Sequence, residues 1–203
     1  MKMRTLIALM LLAVVVLPVA SAGQTTAAGQ TAADFDEEAA VGKCREAAKR
    51  LGTGLKTELM AAMKAGGPMA AIGVCHDMAP AIADTLADEL GLAIGRTSLL
   101  RRNQNNAPDG WETAVLKSFA IRVENGEKPG DLEFGEVVAD PRNGRSYRWM
   151  KGIGTVGLCL KCHGSDLDPQ LAGRIAELYP WDKAVGYSAG DLRGAFTMAL
   201  PLD

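Results

Sequence analysis

The apolar period changes partway along the chain, and that change sets the fold class. From Asp34 to Ala65, the residues Val41, Cys44, Ala48, Leu51, Leu55, Leu59 and Met63 recur at helical spacing until Gly66-Gly67-Pro68 interrupts them. A second helical stripe, Ile72, Cys75, Ala79, Ile82, Leu86 and Leu90, ends before Gly91, with Pro80 at a kink or boundary. This spacing predicts that Cys75 looks inward.

Beyond it the pattern shortens. Leu92 to Leu100 reads as a strand, and a polar loop follows through Asn103, Asn105 and Asn106. Asp109 caps a helix, with Glu112 three residues on and Val115, Leu116, Phe119 and Val123 facing in. Phe134–Ala139 and Ser146–Met150 read as two strands joined by a turn that contains Asn143-Gly144. Asp168-Pro169 starts a short helix with Leu171, Ile175 and Leu178 on one face. The final segment alternates, Phe196, Met198, Leu200 and Leu202 against Thr197, Ala199 and Pro201. Helices at the front and an antiparallel sheet assembled mostly from the second half make an α+β domain.

The N-terminus sets the expected compartment. Lys2 and Arg4 precede an apolar run from Leu6 to Val16, and Ala20-Ser21-Ala22 forms a small-residue cleavage site. Residues 1–22 therefore read as a signal peptide, residues 23–33 as a flexible lead-in, and residues 34–203 as one domain. The apolar run is short for a membrane span, so the expected mature chain is periplasmic or secreted and has no stable span. Loss of Lys2 and Arg4 moves the formal charge from −2 to about −4. Such a chain has no electrostatic footprint for nucleic acid.

The chemistry concentrates in Cys159-Leu160-Lys161-Cys162-His163. A structural zinc ion needs four tetrahedral ligands, and no second clean pair accompanies this motif. A redox dithiol belongs where a strand enters a helix in a βαβ setting, which the surrounding pattern is not. Covalent haem attachment uses every position: Cys159 and Cys162 take the two vinyl groups, and the adjacent His163 offers its imidazole to the iron. One haem c is the expected cofactor. For the second axial ligand the residues alone leave Cys75, Cys44, His76 and several methionines open. The methionines past the signal peptide are Met60, Met63, Met69, Met78, Met150 and Met198. Each taken singly is more commonly core filling, and a buried free thiol is the ordinary state of a cysteine such as Cys44.

Four stretches in order carry a family resemblance: Ala71–Ala83 (AIGVCHDMAPAIA), Gly95–Glu112 (GRTSLLRRNQNNAPDGWE), Cys159–Gly164 (CLKCHG) and Tyr179–Leu202. Together they resemble the haem-c-binding PAS-like sensor domains, long catalogued as a domain of unknown function. Such domains are found in exported single-haem proteins and in membrane histidine kinases. The resemblance spans roughly Asp36 to Leu202. It implies a PAS-like antiparallel sheet with N-terminal helices packed around it, and a histidine opposite a cysteine sulfur on one haem. The family's C-x-x-x-A-P pattern falls on Cys75, followed by Ala79-Pro80, which implies Cys75 as distal ligand with His76 its rival.

A thiolate ligand stabilises ferric iron, and reduction with protonation weakens its bond. The ligand set therefore points to a redox or diatomic-gas sensor, open to CO or NO when reduced and passing its signal to a separate partner protein. The opposing reading is an electron-transfer cytochrome with fixed ligands and a redox partner. An enzyme needs an open distal position and a placed acid–base group, for which only His76 is available. No enzymatic activity is expected.

Overall fold

The computed structural model describes residues 35–140 and 144–202. The expected signal peptide, the lead-in and Asn143 lie outside these residues. Helix α1 spans Glu37–Gly73, and the Asp36 carboxylate caps it by accepting from the Ala39 amide. The expected stop is present as a break inside α1. Gly66 and Gly67 leave helical geometry, Gly67 at φ +66°, and Pro68 restarts the helix. A π-helical turn, Val74–Met78, follows and leads into α2, Ala79–Leu90. Gly91 closes α2 in the left-handed conformation at φ +62°.

Strand β1 is Ala93–Thr97, shorter than the apolar run that announces it. Helix α3, Gly110–Glu124, begins with the expected capping box: Asp109 accepts from the Glu112 amide, and Glu112 accepts from the Asp109 amide. Strands β2, Glu133–Asp140, and β3, Gly144–Gly154, pair antiparallel with Asp140 opposite Gly144. After a single helical turn, α4 (Leu160–His163), come α5 (Pro169–Leu178) and β4 (Leu192–Pro201). The Asp168 carboxylate caps α5 on the Gln170 and Leu171 amides.

All pairings are antiparallel, in the order β1-β4-β3-β2. Strand β4 runs between β1 and β3, with Arg96 opposite Phe196 and Trp149 opposite Met198. The sheet is covered on both faces. On one, Ala40, Cys44, Ala47 and Ala48 of α1 pack on Tyr147, Trp149 and Met198. On the other, Val115, Leu116 and Phe119 of α3 pack on Leu132, Met150 and Ala195. Tyr147 and Trp149 thus point away from Met150, as the period of two demands. A third, smaller cluster joins Ile72 of α1 to Leu171 and Ile175 of α5 and to Tyr179, with Cys162 at its margin. The protein is α+β, with its N-terminal helices against an antiparallel sheet. Among the described residues no helix is long and apolar enough to cross a membrane.

Candidate functional site

One cavity of about 230 Å³ brings Cys75, Cys159, Cys162 and His163 together. Leu59, Met63, Ala71 and Ile72 of α1 contribute apolar wall on the side of Cys75, and Ile153 and Leu158 add to it from elsewhere. Arg96, Arg101, Arg102 and Arg193 also line it, and no aspartate or glutamate does.

Cys159 and Cys162 lie one helical turn apart, so both thiols present to the same side. The Cys159 carbonyl accepts from the amides of Cys162 (3.2 Å) and His163 (2.9 Å), which winds the turn. Both thiols are half-buried and free. Burial pushes the Cys162 thiol up, against the opposing influence of Arg102.

His163 is held from behind. Its Nδ1 lies 2.6 Å from the Ala184 carbonyl, an acceptor that fixes Nδ1 as the protonated nitrogen and leaves the Nε2 lone pair for another partner. Burial pushes its pKa down to about 3, helped by Arg193, Arg102 and Arg96 and opposed by the Ala184 hydrogen bond. The imidazole is therefore neutral at neutral pH, the form that binds a metal. The Tyr187 ring meets it edge-on at 6.3 Å between centroids, and the Tyr187 amide donates to the His163 carbonyl at 2.9 Å.

The residue that sets this arrangement was not singled out by sequence reasoning. Arg102 is 8% exposed; its Nε bonds Asp182 Oδ2 at 3.0 Å, and its Nη2 bonds the carbonyls of Cys162 (2.6 Å) and Ala184 (3.2 Å). Asp182 Oδ1 in turn accepts from the Ala184 amide at 2.7 Å. One guanidinium thus ties the Cys159–His163 turn to the loop that holds His163. Its one signal in the sequence is its place within the Gly95–Glu112 stretch of the family resemblance.

Cys75 departs from the inward position predicted by its helical stripe. It is exposed onto the cavity, whereas its neighbour Val74 is buried. The wide i→i+5 turn, closed by the Ala79 amide on the Val74 carbonyl, moves Cys75 off the stripe shared by Ile72 and Ala79. Of Ile72, Ala79 and Ile82, only Ile72 lines the cavity, so the surroundings of Cys75 are less uniformly apolar than the stripe suggests. His76 does not line it. Its Nδ1 lies 2.5 Å from Asp77 Oδ1, and its ring meets Tyr179 at 5.4 Å. Cys44 is fully buried under the sheet, and Met150 and Met198 are core residues. Met60, Met69 and Met78 are exposed, and Met63 alone of the six methionines lines the cavity.

Among the described residues no three His, Cys, Asp or Glu side chains converge as a cage for a metal ion. The donor set is instead two adjacent thiols, one neutral imidazole and one further sulfur around an apolar and cationic cavity. Imidazole and sulfur donors of this kind, with arginines beside them, fit a haem, which carries iron and carboxylates.

Fold and cavity define the class: an α+β domain whose helices and antiparallel sheet carry a thiol- and imidazole-walled cavity. The chain belongs to the Tll0287-like family, whose model (Tll0287) matches residues 17–201. Among solved structures it is similar to the crystal structure of the cyanobacterial heme-protein Tll0287, with a TM-score of 0.62 at 21% identity. The match covers 82% of this chain and 97% of that one, and at this identity it shows a shared fold. No curated protein matches the chain.

Proposed function

We propose that the protein binds one haem c, with Cys159 and Cys162 as the attachment thiols, His163 as proximal ligand and Cys75 as distal ligand, and that it acts outside the cytoplasm as a redox or diatomic-gas sensor. Support comes from the family, from the likeness to a structure described as a heme-protein, and above all from one observation. Three cysteines and His163 line the same cavity, with His163 neutral and tied through Nδ1. The rival ligand His76 faces Asp77 and Tyr179 instead.

Cys159 and Cys162 would hold the haem by thioether bonds, each S–H giving its sulfur to one vinyl carbon and its hydrogen to the other. Bound haem would supply a reversible one-electron centre. Around it, the chain's residues hold the imidazole neutral, orient it through Ala184 and Arg102, and present the Cys75 sulfur from a distorted turn. A thiolate there favours the oxidised iron, and its bond loosens on reduction. That lability favours sensing over simple relay, in which both ligands stay fixed.

Haem staining of denatured protein on a gel tests the attachment. Wild type should stain and Cys159→Ala/Cys162→Ala should not. Release of all colour from wild type into acid acetone would overturn covalent attachment.

A further inference from the structure

Arg96 and Arg193 line the cavity without an ion pair to any described acid. Arg96, on β1, lines the cavity, and its side chain has no hydrogen bond or ion pair to any described residue. Burial lowers its pKa, with Cys75 and Tyr179 opposing. Arg193, on β4, uses Nη1 on two neutral acceptors, Ser98 Oγ at 3.2 Å and the Leu100 carbonyl at 3.3 Å. Its guanidinium lies 5.2 Å from the centroid of the Tyr187 ring, and burial lowers its pKa as well, with Tyr187 opposing. Of the other two arginines, Arg101 also lacks an ion pair to any described acid. Arg102 is paired with Asp182, and Arg101 places its Nε on Gln104 Oε1 at 2.9 Å.

Arg96 also borders a neighbouring cavity that includes Asp84 and Glu112. Glu112 is committed elsewhere, to the Asp109 amide at 3.0 Å, to Thr197 Oγ1 at 2.7 Å and to Arg148 at 3.3 Å. A half-buried cation without a counter-charge loses part of its hydration with nothing to offset it. A pair of them in one cavity calls for a dianion. Guanidinium groups meet carboxylates best, through paired, charge-assisted hydrogen bonds.

We propose that Arg96 and Arg193 are the carboxylate-binding residues of the cavity and take the two haem propionates. This rests on the haem c reading and adds to it. The thiols come from the turn at α4 and the cations from the adjacent strands β1 and β4. A ligand with vinyl groups at one edge and carboxylates at another needs its anchors on different elements in this way.

The test uses full-length Cys159→Ala/Cys162→Ala protein, titrated with haemin and with haemin dimethyl ester and followed by absorbance. Haemin should bind about ten-fold tighter or more, the worth of one good charged contact. Adding Arg96→Gln and Arg193→Gln should bring the ratio close to one. Arg96→Lys with Arg193→Lys, which keeps the charges, should retain most of it, as should the distant Arg50→Gln. Arg96 and Arg193 are only half-buried and carry no ion pair that the substitutions would break, so the glutamine variants should fold, as far-ultraviolet circular dichroism would show. Equal binding of acid and ester to the parent, or a ratio unmoved by the glutamine pair, overturns this inference alone. Failure of a folded parent to bind either porphyrin overturns the haem reading with it. Displacement of haemin by succinate would assign the arginines to a free dicarboxylate and also overturn the proposal.

Discussion

Arg102 and Asp182 form an ion pair at 3.0 Å with both side chains almost fully buried, at 8% and 10% exposure. The same guanidinium holds the carbonyls of Cys162 and Ala184, and Ala184 holds His163. The pair stands 80 residues apart in sequence and links the segment after β1 to the loop before β4. Arg102→Leu leaves Asp182 charged and buried without its partner, and should destabilise the protein by about 3–5 kcal/mol. Arg102→Lys should recover little, because an ammonium cannot span a carboxylate and two carbonyls in one plane. Denaturant unfolding measures both variants, and the fraction of chains carrying haem should fall in parallel.

The axial assignment separates by substitution. Cys75→Ser should alter the ferric absorption spectrum and raise the reduction potential, on the order of 100 mV within the ~0.8 V range that axial ligands control. Cys44→Ser should change neither, because Cys44 lies under the sheet with Tyr147 and Trp149. His76→Ala should also leave the spectrum intact. Loss of low-spin character in His76→Ala alone would give the position to His76.

Ligand lability has its own test. CO added to the reduced protein should produce a new Soret band, and CO added to the oxidised protein should produce none. Ferric iron and thiolate attract more strongly than ferrous iron and thiolate, and protonation of the sulfur weakens the bond further. Reduced protein that ignores both CO and NO, yet exchanges electrons rapidly with small cytochromes, would establish the electron-transfer reading instead.

Cys44 gives stability an alkaline limit. Burial pushes its pKa from the ordinary value of 9.0 up to about 11, against a smaller opposing influence of Lys43. The folded chain therefore retains a proton that the unfolded chain releases, so the contribution is full below pH 9 and is lost as pH rises through 11. The loss reaches at most about 3 kcal/mol for this thiol. Tyr147, pushed up to about 12 chiefly by burial, acts in the same direction. Urea unfolding at pH 8 and pH 10.5 measures the slope, and Cys44→Ala should flatten it.

Gly152 offers a purely steric check. A Cβ there would stand 2.2 Å from the Pro129 carbonyl oxygen, a backbone atom with little room to retreat. Gly152→Ala should cost about 1–3 kcal/mol and leave the haem spectrum of the surviving folded fraction unchanged. Gly157→Ala, with open space around the position, should cost far less.

The Lys151–Gly154 stretch also shows where local pattern runs out. The side-chain pattern gave the strand as Ser146–Met150. It continues to Gly154, because Gly152 allows β3 to run beneath the Pro129 turn while pairing with β4. The capping box of α3 and the Asp168 cap of α5 were legible because each needs only residues three or four apart. So was the grouping of two thiols and an imidazole, which fall within five residues. Arg102, Asp182, Arg96 and Arg193 were not. Their partners lie far along the chain, and no local period marks an arginine that will be buried.

Cys75 divides the two kinds of information. The sequence by itself determined that a cysteine stands on a helical segment between Ile72 and Ala79, that helices precede the sheet, and that two thiols and a histidine share one turn. These are properties of short range, set by side-chain period, capping chemistry and residue spacing. Only the tertiary structure decided that Cys75, rather than His76, lines the cavity with His163. The direction of a side chain there follows from the i→i+5 bond between Ala79 and Val74. It depends too on the packing of Ile72 against α5 and Tyr179, contacts that form only when distant segments meet.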